Sequence, residues 1–199
     1  VHGRAAEVRG GTSRAMTDVH VPEPPLFPAG PYSVEEAPDG QLRGAWIDEL
    51  EVAPARLRAA VAGVSRRAFD TAYRNWTIRQ IVHHVADSHL NSYVRFKLAL
   101  TEDRPTIKPY DESRWSDLPD AQRADVELSL RLLDALHGRW IYLLRALAPE
   151  AFDRSFYHPG TGEVMPLWRA VGYYAWHARH HTAQVEWVRA HKLRARDRG

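Results

Sequence analysis

Between Ala124 and Leu147 the chain crowds apolar side chains onto a helical period: Val126, Leu128, Leu130, Leu132, Leu133, Leu136, Trp140, Leu143, Leu144 and Leu147. Residues so spaced share one side of a helix, and a helix this apolar must bury that side against other helices. Three more stretches carry the period. From about Gln41, Trp46, Ile47, Leu50, Val52 and Leu57 recur until the pattern fades at Gly63. Thr77-Ile78-Arg79-Gln80 has the form of a capping box and opens a helix expected to end near Leu100–Thr101. The last helix is expected from near Pro166, a residue tolerated in a first turn, to about Ala190. Four amphipathic helices without internal repeat or strand–helix alternation predict an all-α four-helix bundle.

The segments between the helices divide the chain further. Residues 1–20 mix Gly, Arg, Ser and Thr without periodicity and are expected to form a disordered extension, with Met16 a candidate start. Residues 21–40 hold the proline-rich run VPEPPLFPAGPYSVEEAP, expected to lie extended across a surface. The bundle domain is placed at 41–192 and a basic tail at 193–199. Pro105, Pro109 and Pro119 punctuate TEDRPTIKPYDESRWSDLP, a long irregular insertion too large for a mere connection. SFYHPGTGEV, residues 155–164, carries Pro-Gly and Thr-Gly and predicts a turn or small hairpin.

Composition excludes several classes of function. The 199 residues suit one domain, and 44% hydrophobic residues with seven tryptophans are enough to build a core. The absence of cysteine removes disulfides, thiolate metal sites and cysteine nucleophiles together, so a soft-metal site must use imidazole or carboxylate. A net charge of +2 without basic clustering inside the helical region argues against nucleic acid. No apolar run approaches the length of a membrane span and no secretory h-region follows the N-terminus, which makes a cytoplasmic location the expectation.

Imidazoles are what the chain has instead. YAWHARHHTAQ places His177, His180 and His181 within five positions of the last helix. His177 and His181, four apart, share a face and offer two nitrogens to one metal. His180 could replace His181 on spacing alone, but Tyr173, His177, His181, Gln184 and Val188 form one inward seam, while Trp176, His180 and Trp187 fall on a neighbouring face. On the second helix Thr77, Ile81, His84, Ser88, Asn91 and Arg95 recur at alternating fours and threes. A seam that begins apolar and turns polar implies a satisfied network or a wet pocket, because each unpaired buried polar group costs about 1–3 kcal/mol. His84 lies on that seam, and His83 and His89 lie on other faces. His2, His20, His137, His158 and His191 are read as solvated or structural.

Several blocks in order, NWTIRQIVHHVADSHLNSYVRFKLALTEDRPTIKPYDE, LHGRWIYLLRAL, FYHPGTGE and GYYAWHARHH, closely resemble the YfiT-like branch of the DinB superfamily over about Tyr32 to Val188. Its members are described as metal-dependent hydrolases and as bacillithiol S-transferases. The resemblance implies a DinB-like bundle with one divalent metal per subunit, Zn2+ before Ni2+, held by His84, His177 and His181. It also implies a homodimer, which tryptophans expected at the surface support, and a small-molecule substrate. The family often has a histidine where this chain has Gln184. Three histidines with an open position would activate water or a low-molecular-weight thiol. Asn91 and Arg95 become candidate hydrogen-bond donors to substrate. Tyr110 and Asp111 are candidates to orient substrate or abstract a proton, weighed against simple loop anchoring. The leading expectation is a metal-dependent hydrolase, with thiol S-transfer at the same site as the alternative. A non-catalytic metal-stapled structural or sensing protein is the further alternative, and a DNA-damage-associated binding module has only the superfamily's name behind it.

Overall fold

The computed structural model describes residues 21–33 and 36–193, so the expected extension at 1–20 and nearly all of the basic tail at 193–199 lie outside the described residues. In chain order the elements are α1 (Gly40–Val61), α2 (Ile78–Thr101), two one-turn helices α3 (Glu112–Ser116) and α4 (Pro119–Arg123), α5 (Val126–Ala146), a hairpin of β1 (Ser155–His158) and β2 (Glu163–Pro166), and α6 (Leu167–Val188). Short polar side chains start three of the four long helices. Asp39 accepts from the Leu42 amide at 2.7 Å, and Asp125 from the Glu127 amide at 3.0 Å. The capping box forms as read: Thr77 Oγ1 accepts from the Gln80 amide at 3.2 Å and Gln80 Oε1 from the Thr77 amide at 2.9 Å. Pro166 immediately precedes α6, which continues as a π-type turn over Arg189–Leu193.

α1 packs against α5 and α6, and α2 packs against the same pair, so α1 and α2 stand on one diagonal of the bundle. At Gly172 the α1–α6 contact is close: a Cβ there would lie 3.0 Å from the Trp46 ring, so any larger residue would have to push that ring aside. The interior divides along its length. One apolar cluster gathers Ile47, Leu50, Phe96, Trp140, Leu144, Val171 and Ala175. Another gathers Leu57, Ile78, Ile81, Val85, Leu133 and Val185. Burying such side chains is worth about 1.5–3 kcal/mol each.

The insertion is more ordered than expected. It contains α3 and α4, and Thr106 bridges in parallel to Tyr157, with the Ile107 amide donating to the Tyr157 carbonyl at 3.0 Å. It thus lies along the hairpin, whose register pairs Phe156 with Met165. The period-based reading missed α3 and α4 because a one-turn helix is too short to show a period. The arm is extended as read and is tied across the bundle. Tyr73 Oη donates to the Pro25 carbonyl, Trp176 Nε1 to the Gly30 carbonyl at 2.9 Å, and Tyr32 Oη to the Arg169 carbonyl at 3.1 Å. Phe27 and Tyr32 pack on Trp176, which accounts for much of the aromatic face of α6.

Tryptophan exposure corrects one expectation. Trp115 alone among the seven is exposed, and it stacks at a tilt on Tyr110, 4.5 Å away. The others are half-buried or, for Trp140, fully buried, because the bundle and arm cover them.

Candidate metal centre

Between the two apolar clusters each long helix contributes to a polar layer: His84 and His89 from α2, His137 from α5, His177 and His181 from α6, and the Leu50 carbonyl from α1. His84, His177 and His181 are all buried, and their donor atoms lie within 4.8 Å of one another. Burial drives the pKa of His84 down to about 4, and burial with mutual repulsion drives His177 and His181 well below the usual imidazole value. At neutral pH all three carry free lone pairs, the form that binds metal.

A chain of hydrogen bonds decides which nitrogen of His177 is bare. Proline has no amide hydrogen, so Pro54 in the middle of α1 leaves the Leu50 carbonyl without its partner four residues on. His137 Nδ1 takes that carbonyl at 2.7 Å and must donate, since a carbonyl only accepts. Neutral His137 then accepts at Nε2 from His89 Nδ1, 2.8 Å away. His89 in turn accepts at Nε2 from His177 Nδ1 at 3.3 Å. Burial lowers the pKa of both His89 and His137, which keeps the relay neutral. His177 Nε2 is left as a lone pair, 3.2 Å from His84 Nε2. His84 Nε2 either donates to that lone pair or, with its proton on Nδ1, turns a second lone pair to the same point, and with His181 Nε2 beside them the donor set fits a divalent metal.

Gln184 sets His181 in the same way. Its Oε1 accepts from His181 Nδ1 at 2.8 Å while its amide donates to His180 Nε2 at 3.0 Å, leaving His181 Nε2 bare. His180 stacks on Trp176 at 4.8 Å and is turned away from the group. His84 is held by packing, with Trp76 4.5 Å from its ring. Reading the sequence missed His89 and His137. The available signal was the seam Leu133, His137, Trp140, Leu144, which sets a histidine among core positions. His83 is structural, bonded at Nδ1 to Ser129 Oγ at 2.8 Å.

A cavity of about 640 Å³ opens beside His177, between α2, α6, the hairpin and the insertion. Arg95, Tyr110 and Asp111 line it. Asn91 is not among the lining residues; its Nδ2 donates to the Asp87 carbonyl of its own helix at 2.9 Å. Asp111 caps α3, accepting from the Arg114 amide at 3.0 Å, so it anchors the loop while standing at the exposed rim. Burial pushes the Tyr110 phenol up to about 12, so at neutral pH it donates a proton and does not abstract one. His158 also lines the cavity.

Residues 49–185 match the DinB superfamily model. The chain is 50% identical over 172 residues to "Putative metal-dependent hydrolase YfiT" of Bacillus subtilis (strain 168), covering 85% of this chain and 94% of that one. A Bacillus cereus protein, also described as a putative metal-dependent hydrolase, is 47% identical over 165 residues, 82% of this chain and 94% of its own. The solved structure of YfiT from Bacillus subtilis, described as a four-helix bundle of unusual topology, superposes with a TM-score of 0.80 at 49% identity. It covers 82% of this chain and 95% of that one. Among the described residues no helix is long and apolar enough to cross a membrane.

Proposed function

This chain belongs to the DinB superfamily, and from that membership we propose that it is a metal-dependent hydrolase of small molecules. The proposed metal is a divalent ion, one per subunit, held by His84, His177 and His181. The observation that carries the reading is the meeting of three buried, neutral imidazoles, one of which, His177, stands on the wall of a cavity of substrate size. Three nitrogen donors suit zinc, with nickel next. When bound, such an ion with an open position lowers the pKa of water to about 7 and so supplies a nucleophile at neutral pH.

The chain's own residues do the rest. The relay from Leu50 through His137 and His89 holds His177 with Nε2 toward the group, and Gln184 holds His181 likewise. Tyr110 stays protonated and orients substrate by donating. Phe156, Met165, Tyr173 and Tyr174 supply the cavity's apolar and aromatic walls and exclude water from a bound ligand.

The test measures circular dichroism and turnover on one chelated sample, with water alone and then with an added low-molecular-weight thiol. Intact helix with turnover lost on chelation and restored by metal without thiol is the expected result. Turnover that requires thiol would make the protein an S-transferase, and loss of helix on chelation would make the metal a structural staple. A homodimer forms part of this reading through the family, and light scattering at micromolar concentration checks it.

A further inference from the structure

The cavity beside His177 contains one charge that the fold does not neutralise. Arg95 is only 9% exposed, yet among the described residues its guanidinium has no ion pair within 4 Å and no hydrogen bond. Its nitrogens are not sealed in the protein either; they reach the cavity. A guanidinium carries five donors, and one this deep with no protein partner presents them to whatever fills the cavity, an anion above all. The carboxylates around the cavity do not fill that role. Glu163 pairs with Arg169 at 3.5 Å, Asp111 caps α3 and lies near Arg114, and Glu112 sits exposed at the rim.

We propose that Arg95 is the anchor for an oxyanion, a carboxylate or phosphate, on the small molecule this site takes, with the molecule's reactive end toward the three histidines. This rests on the metal-dependent reading above and names the substrate class within it. Arg95 lies three helical turns beyond His84 on α2, roughly 16 Å along the axis. Helical side chains lean toward the N-terminus, so the guanidinium recovers part of that distance toward the histidines. Arg95 and His177 line one continuous cavity, and Phe156, Met165 and Tyr174 line its walls. The arrangement selects a ligand with an apolar or aromatic body and an anionic tail. Guanidinium matches both oxyanions bidentately, so the cavity alone does not choose between them.

The test uses the full chain, chelated and metal-loaded, with three probes at matched ionic strength: glutarate, its uncharged analogue glutaramide, and inorganic phosphate. Isothermal titration of the chelated protein should show glutarate or phosphate binding while glutaramide does not, and Arg95→Gln should weaken the favoured anion at least tenfold. Arg95→Lys, which keeps the charge, should retain part of the affinity. Glutarate ahead of phosphate assigns a carboxylate, and the reverse a phosphoryl group. Equal binding of glutarate and glutaramide with phosphate silent would overturn the proposal, as would full anion affinity in Arg95→Gln. Using metal-free protein separates the two readings. Failure of the metal reading appears as absent metal uptake with the anion preference intact, whereas failure of this one leaves metal uptake normal and the preference gone.

Discussion

The same four helices build two apolar clusters and, between them, a layer of imidazoles, and the two kinds of interior obey different physics. In the cluster around Trp140, Phe96 and Leu50, attraction is non-directional and shared over many contacts. In the layer, attraction is directional and runs link by link, one pair of atoms at one distance, from the Leu50 carbonyl to His84 Nε2. A cluster therefore degrades in proportion to the volume removed. A relay fails at any single link, because the next group is left buried and unpaired. The bundle's stability resides in the clusters and its chemistry in the layer, so the two should be separable by mutation.

The sharpest separation is at the ligands. His84→Ala, His177→Ala or His181→Ala should each remove most bound metal, measured by elemental analysis, with helix content by circular dichroism unchanged. His180→Ala should keep its metal. Full occupancy in His84→Ala would end this assignment of the layer. Next in size is the reverse experiment: Leu144→Ala, in the cluster and buried, should cost about 2–5 kcal/mol in denaturant unfolding while the folded protein still binds metal. A third variant probes the relay. His89→Ala leaves His177 Nδ1 without its acceptor and should weaken metal binding about 10–100-fold, read by competition with a chelator. Nitrogen-15 spectra of the parent should show the proton on Nδ1 of His177, His89 and His137, and a proton on Nε2 of His177 in the metal-free protein would break the tautomer chain.

The smallest effect lies just outside the layer. Burial, with Asp120 nearby, raises the Asp87 carboxyl to about 6. A carboxyl raised in the folded state favours folding while protonated, so its contribution is complete below about pH 4 and is lost as pH rises to about 6. Because Asp87 is half-exposed, solvent screening limits this to about 1 kcal/mol. Asp87→Asn should remove that part of the pH dependence of unfolding and stabilise the protein slightly at pH 7. A pH profile identical to the parent's would show that Asp87 titrates normally.

Periodicity and capping alone determined the four long helices, the box at Thr77–Gln80 and the stripes that carry His84, His177 and His181, because these depend on residues within a few positions of one another. The hairpin at 155–166 and the extended arm were legible for the same reason. Family resemblance singled out the three histidines as a set. Sequence did not reveal that Pro54 frees the carbonyl that His137 takes, or that His89 passes the constraint to His177. These groups come from different helices, and no spacing along the chain relates them. Asn91 and Arg95 share a seam in sequence but part in the structure: Asn91 bonds the carbonyl four residues back on its own helix, a local contact, whereas the docking of helices, hairpin and insertion leaves Arg95 unpaired on the cavity wall. Local pattern decides which side of a helix is buried; only the docking of helices decides which buried polar groups meet, because that is set by distances between helices and not along them.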